Sequence, residues 1–348
     1  MPASSRCKST GLPPSPVAKP GKPPVAAPLA LPSAAPISPL PEVEPADYEA
    51  VRPGLFRREL LQTKQEHRAA RNDASRDLKK RLSAEERQDI YHFIASNAED
   101  EALLEERLQN HFVPQHSPGQ LLGTRALLVS PLFQVRSKSQ PRSEHLELTI
   151  GGTPTGSPIQ YRGPELRQSD ARVFLALLHM LRDLWAGTRA SFEARELCTV
   201  LFGRYDGDSR RQLREHIYRL QRGLLVFERF SVQLVQTFLY PARGPWTVAL
   251  DESIVQLFRV SPEVWLDIEN RLALPDGLAS WLYGYIESQT KLIPMELPKL
   301  IALCGSQASP KAFAEAMREA LALLSARRVI DTGWSVNQDK VRWRKPRN

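Results

Sequence analysis

The strongest constraint in this sequence is a pattern that occurs twice, one hundred residues apart. Leu213, Ile217, Leu220 and Leu224 follow the spacing i, i+4, i+7, i+11, and Phe313, Met317, Ala320 and Leu324 repeat it. That spacing puts four apolar side chains on one face of an α-helix, and such a face must pack against another element. Each ladder follows a shorter apolar stretch, with Leu197 and Leu201 or Leu300 and Leu303, closed by Gly203 or Gly305. Glycine takes the left-handed conformation that ends a helix, so both stretches read as short helices with glycine stops. Ser209 and Ser309 mark the expected starts of the long helices, and Pro310 suits a first helical position. Strand-favouring residues come next, at 225–227 and 231–240 in the first copy and at 329–330 and 341–343 in the second. Short helix, turn, long helix and hairpin is the order of a winged helix-turn-helix. The expected fold class is therefore α+β, with two tandem winged-helix domains.

What precedes the repeat is of a different kind. Thirteen of the 29 prolines fall within the first 50 residues, among Ala, Ser, Lys and Val with no helical or strand period. Such a segment cannot bury enough apolar surface to offset its ordering entropy, which predicts a disordered, partly polyproline II arm. From about Leu55 to Phe112 the chain is charged and helix-favouring, and Ser83 with Glu86 matches a capping box. Residues 113–145 read as loop. Leu146, Leu148 and Ile150, then Ile159 and Tyr161, alternate with polar residues as strands do. Ser169 and Asp170 open a helix with Val173, Leu177, Leu178, Leu181 and Leu184 facing inward. The expected organisation is an arm at 1–50, a charged helical extension and linker at 51–145, and winged-helix domains at 146–258 and 259–348.

Several kinds of chemistry have no support. There is no GxxxxGK[ST] run to cradle a nucleotide's phosphates, and no GxSxG or HExxH. The histidines, His67, His92, His111, His116, His145, His179 and His216, are scattered singly, and Cys7, Cys198 and Cys304 form no CxxC pair. Neither a catalytic centre, a metal site nor a cofactor is expected, and the unpaired thiols fit a reducing bacterial cytoplasm, where the protein would associate with plasmid or nucleoid. No run approaches the 18 to 20 apolar residues of a membrane span. Trp185, Trp246, Trp265, Trp281 and Tyr283 fall on apolar faces and are expected in the core.

The net charge of +8 makes a polyanion the default partner, nucleic acid first. Arg204, Arg210, Arg211, Arg214, Arg219 and Arg222 outweigh Asp206, Asp208 and Glu215, a local excess of +3. Arg210, Arg211 and Arg214 occupy the first turns of the long helix, where a recognition helix makes its contacts; a solvated face of arginine–carboxylate pairs is the alternative. The run Lys340, Arg342, Arg344, Lys345 and Arg347 has only Asp339 against it, an excess of +4. Val341 and Trp343 alternate with these cations, putting apolar groups on one strand face and charge on the other, as a wing against phosphates requires. The second long helix is less basic. Lys311, Arg318, Arg327 and Arg328 stand beside Glu315 and Glu319, and Gln307, Ser309 and Lys311 are its best candidates for base contact.

Four stretches carry a likeness: IQYRGPELR at 159–167, ARELCTVLFG at 194–203, VALDESIVQLF at 248–258 and LPKLIALCGS at 297–306. In this order and spacing they resemble the TrfA-type plasmid replication initiators, from about Leu146 onward. The resemblance implies tandem winged helices that bind directly repeated origin sites (iterons) in double-stranded DNA and recruit the host initiator ATPase and replicative helicase. It also implies a monomer–dimer equilibrium with the first winged helix at the dimer interface, and main base contacts by the second. A family-type QLxLF sliding-clamp peptide is missing. Only Gln120, Leu121, Leu122 and, separately, Leu132 and Phe133 come near it, so the resemblance does not extend to clamp binding. A winged-helix transcriptional repressor is the alternative function, and two different copies in one chain favour the initiator.

Overall fold

In the computed structural model, the described residues are 111–346, apart from positions 115, 118, 153–155 and 338, together with a few isolated positions between 62 and 106. The Pro-rich arm, most of the charged extension and Arg347 lie outside them. The described chain is α+β, with small sheets between helices. It begins with strand β1 (Gln120–Thr124), the short helix α1 (Arg125–Leu128) and β2 (Phe133–Gln134). Strands β3 (Leu146–Gly152), β4 (Pro158–Gly163) and β5 (Leu166–Arg167) lead into α2 (Gln168–Met180). After β6 (Ala190–Phe192) come the first helix pair, α3 (Ala194–Phe202) and α4 (Gly207–Gln221), then β7 (Leu224–Val226), β8 (Ser231–Gln233), β9 (Thr237–Leu239) and β10 (Trp246–Ala249). The remainder runs α5 (Leu257–Val260), β11 (Glu263–Asp267), α6 (Ile268–Ala273), α7 (Leu278–Glu287) and β12 (Met295–Glu296) into the second pair, α8 (Leu297–Cys304) and α9 (Pro310–Ala326), and ends in β13 (Ser335–Asn337) and β14 (Lys340–Arg342). Among the described residues, no helix is long and apolar enough to cross a membrane.

The repeated plan is visible in the packing. Leu213, Ile217 and Leu220 on α4, and Phe313, Met317, Ala320 and Leu324 on α9, are all buried. α4 packs on α2 and α3, and α9 on α7 and α8. The two short helices end on Gly203 and Gly305 at φ +69° and +64°, the left-handed region that favours glycine. After α4 the hairpin β7–β8 completes a four-stranded sheet in the order β3-β4-β7-β8; after α9, β13 and β14 join β12 in the order β12-β14-β13. Cys198 and Cys304 are buried free thiols in these helix pairs, and burial pushes the Cys304 thiol up to about 12.

Several expectations are corrected. The stretch 113–145 is not simply loop. β1 pairs antiparallel with β11, Leu122 opposite Trp265, and β2 pairs parallel with β5. Leu121, Leu122, Leu132 and Phe133, the nearest approach to a clamp peptide, are buried core residues. α4 starts at Gly207 rather than Ser209: Asp206 is the N-cap, its Oδ1 accepting from Ser209 N at 2.7 Å while Ser209 Oγ accepts from Asp206 N at 2.9 Å. Leu224 lies beyond that helix, in β7. The strand expected at 231–240 is two strands in different sheets, β8 against β7 and β9 against β10, because the chain turns inward at buried Leu234 and Val235. Val329 and Ile330 are buried but form no strand, since the chain turns at Arg328, whose φ is +59°. Trp185 and Trp265, at 37% exposed each, are not core residues; Trp185 stacks on His111 with ring centroids 3.9 Å apart.

Candidate nucleic-acid interface

The basic residues of the first helix pair are largely committed to partners within the chain. Arg204 lies 3.5 Å from Asp206 and 3.2 Å from Asp208. Arg211 pairs with Asp208 and lies 3.9 Å from Glu215. Arg210 donates to the carbonyls of Pro241 at 3.1 Å and Ala242 at 2.9 Å, with its guanidinium 5.6 Å from the centre of the Trp246 ring. Arg214 sits over exposed Tyr240 at the same distance. Arg222 reaches Glu144 at 2.9 Å. The long helix thus offers an exposed face on which, of these arginines, Arg214 alone keeps clear of acids and carbonyls among the described residues.

Arg219 points the other way, into a buried polar cluster. Its Nε lies 3.0 Å from Asp170 Oδ1, which also meets His216 Nδ1 at 2.7 Å; the second oxygen accepts from Arg142 at 2.7 Å and from Arg167 N at 2.8 Å. Burial alone would push the Asp170 carboxyl up, but the hydrogen bond from His216 and the charges of Arg219 and Arg142 override it and hold the group well below the usual carboxylate range. Glu165, equally buried, accepts from Arg136 at 3.0 Å and Arg167 at 2.6 Å. This cluster anchors α4 to the start of α2. Residue spacing carried no sign of it, nor of the contact between His116 Nε2 and His179 Nδ1 at 3.1 Å, where burial lowers His179 to about 4. His116, His179 and His216 thus each have a partner within the chain. Among the described residues, no group of three or more His, Cys, Asp or Glu is placed to hold a metal ion.

The second helix pair presents its cations differently. Ser309 is the N-cap of α9, its Oγ accepting from Ala312 N at 3.3 Å, with Pro310 at the first helical position. Gln307, Ser309, Lys311 and Arg318 are all exposed, and the first turn of α9 contains no acid, whereas that of α4 contains Asp208. On β14 and the two residues after it, Val341 is fully buried and Trp343 3% exposed, while Lys340, Arg342 and Arg344 face outward. Among the described residues, no carboxylate lies within 4 Å of the cationic groups of Lys311, Arg318, Lys340, Arg342 or Arg344. Lys345 is 3.7 Å from Glu287. A groove of about 670 Å³ runs beside this strand, lined by Thr290, Lys291, Ser335, Arg342, Arg344 and Lys345 among others. Lys291 is an addition that sequence patterning missed, since it stands alone in its own segment.

The chain thus carries two copies of one helix-pair-and-hairpin plan, the second with an exposed basic edge largely free of carboxylates among the described residues. The family model described as TrfA protein matches residues 123–345, well over half of the sequence, and the chain belongs to that family. Its role is that of a replication initiator. A solved structure of domains 2 and 3 of RctB, as a selenomethionine derivative, is similar at 12% identity with a TM-score of 0.47, covering 64% of this chain and 98% of that one. No curated protein sequence matches.

Proposed function

We propose that this protein is a non-enzymatic plasmid initiator that binds direct repeats (iterons) in origin DNA through two winged helices, opens adjacent duplex and recruits the host initiator ATPase and replicative helicase. In this reading α3–α4 with β7–β8, and α8–α9 with β13–β14, are the two winged helices. The observation that carries it is the outward row Lys340, Arg342 and Arg344, set against buried Val341 and Trp343, with no carboxylate partner among the described residues. Cations held on a rigid strand and free of local acids are available to phosphates. Lys311 and Gln307 at the α9 start take base edges, because the N-terminal end of a recognition helix enters the major groove. Arg210, Arg211 and Arg214 on α4, with Arg204 before it, act mainly on phosphates. A monomer–dimer equilibrium adjusts the supply of binding-competent protein.

The test is a footprint of the full chain on duplex carrying the direct repeats of its own replicon, against scrambled duplex of equal length. Protection of each repeat on one face, at a spacing near two helical turns, is expected. Equal affinity for both duplexes would overturn the reading, and a covalent protein–DNA adduct would replace it with a nicking enzyme.

A further inference from the structure

Two arginines and one aspartate lie where α2 and α3 meet the α6–α7 connection. Arg172, on α2, donates Nη1 to Leu201 O at 3.3 Å, near the end of α3, and Nη2 to Leu274 O at 2.6 Å; its Nε is 2.9 Å from Asp276 Oδ1. Arg271, on α6, is 1% exposed. Its Nη1 donates to Ser280 Oγ on α7 at 3.0 Å, its Nη2 to Gln168 O at 3.1 Å, the first residue of α2, and it lies 4.0 Å from Asp276. The Ser280 hydroxyl donates in turn to Pro275 O at 2.9 Å. Among the described residues, one carboxylate therefore lies beside two guanidiniums, whose other partners are main-chain carbonyls and a hydroxyl.

Such a cluster is a poor way to gain stability, because apolar side chains of the same volume pack there at lower desolvation cost. What it supplies is geometry. Arg172 Nε and Asp276 Oδ1, although close, form no hydrogen bond, so the directed bonds are the four that the Nη atoms donate to Leu201 O, Leu274 O, Ser280 Oγ and Gln168 O, and a planar guanidinium makes its pair of bonds in one relative placement of the elements it touches. α4 packs on α2 and α3, and α9 packs on α7, so the cluster is a joint between the supports of the two long helices. The β1–β11 ladder is a second attachment between the same two regions. Apolar packing in one continuous buried cluster and the bond from Val135 N to Cys304 O at 2.9 Å also join the two regions, and to this largely non-directional packing the arginines add directed bonds.

We propose that Arg172 and Arg271 are positioning residues that set the angle between α4 and α9, and hence the spacing at which the two helix pairs meet successive grooves of one duplex. The second half of this statement rests on the DNA reading above; the first does not.

Two measurements on the full chain separate them. With Cys7 replaced by Ser and spin labels on Tyr218→Cys and Glu319→Cys, Cys198 and Cys304 being buried, the wild-type cluster should give one narrow distance distribution. Arg172→Ala should broaden or shift it, with Arg172→Lys intermediate. An unchanged distribution in both variants overturns the proposal whether or not the protein binds DNA. The second probe is a duplex selected from random sequence by the full chain, with and without one base pair inserted at its centre. The insertion should weaken wild-type binding at least tenfold and weaken Arg172→Lys binding less than threefold, with the uninserted duplex bound similarly by both. An equal penalty in the two proteins contradicts the role in spacing. If no duplex is selected, the DNA reading fails and the spin-label distances still decide the angle. Arg271→Met is the harsher variant; should it not fold, Arg172→Lys, at a site with 12% of its side chain exposed, carries both tests.

Discussion

The two long helices carry their charge in opposite ways. Around α4 the sequence supplies six arginines, yet Arg204 and Arg211 pair with Asp208, Arg210 with two carbonyls, Arg219 with buried Asp170 and Arg222 with Glu144. Around α9 the cations are fewer, but Lys311 and Arg318 are exposed and free of carboxylate partners among the described residues. A count of charges along a sequence therefore overstates what α4 can offer a polyanion and understates α9 and its hairpin. The exposed pairs of Arg204 and Arg211 contribute only about 0–1 kcal/mol each, so those arginines can be recruited by a phosphate at small cost. The carboxylates they leave behind still repel it. Arg219 is different, because breaking its pair strands a buried acid.

The largest test of this contrast is Asp170→Ala. It should destabilise the fold by about 3–5 kcal/mol in denaturant titration, because buried arginines lose their counter-charge. Among the described residues, α9 makes no comparable ion pair, and it is held by Phe313, Met317, Leu321 and Leu324. The pH dependence has a defined sign. A carboxyl held below its unfolded value contributes stability that is complete above the unfolded pKa, about 4, and is lost as pH falls toward the folded value. Wild-type stability should fall more steeply below about pH 4 than that of Asp170→Asn; parallel curves would remove the buried cluster from the explanation.

Next in size is the outward row that begins on β14 and continues to Arg344. Replacing Lys340, Arg342 and Arg344 together by Ala should weaken specific and non-specific duplex alike, and flatten log K against log salt by about 0.9 for each phosphate no longer neutralised. The double variant Arg204→Ala with Arg211→Ala should change that slope by less, since both side chains are already paired. Equal flattening would mean that local ion pairs do not restrain the first helix pair.

The smallest effect concerns the glycine stops. Gly203→Ala forces φ +69° on a residue with a Cβ, costing roughly 1 kcal/mol, and nothing lies within 4 Å of the added carbon. Gly305→Ala should cost more, because its Cβ would come 3.1 Å from Gln134 Cγ and 3.2 Å from Pro131 Cβ. Thermal melts rank the two.

Local pattern carried the repeat well. The second apolar ladder, the first as far as Leu220, both glycine stops, the Ser309–Pro310 start and the inward Val341 and Trp343 were all legible, since each depends on residues within a few turns of one another. What was not legible depends on distant partners. Gln120–Thr124 is a strand because Glu263–Asp267 lies beside it, and Gly123, Thr124 and Arg125 interrupt any local period. The commitment of Arg219 to Asp170 and of Arg222 to Glu144 spans 49 and 78 residues, so the basic surface could be counted in sequence and not apportioned. Trp185 looked like core and is instead half-open, covered by His111.

The most direct test of the central claim, that the freer cations of the second helix pair govern recognition, is a four-variant titration on one iteron and its scrambled counterpart. Lys311→Ala and Gln307→Ala should each reduce the discrimination between the two duplexes by about 1–3 kcal/mol with little change in non-specific affinity. Arg210→Ala and Arg211→Ala should lower both affinities in parallel, by less. Loss of discrimination confined to the Arg210 and Arg211 variants would contradict the claim and return recognition to the more basic first helix.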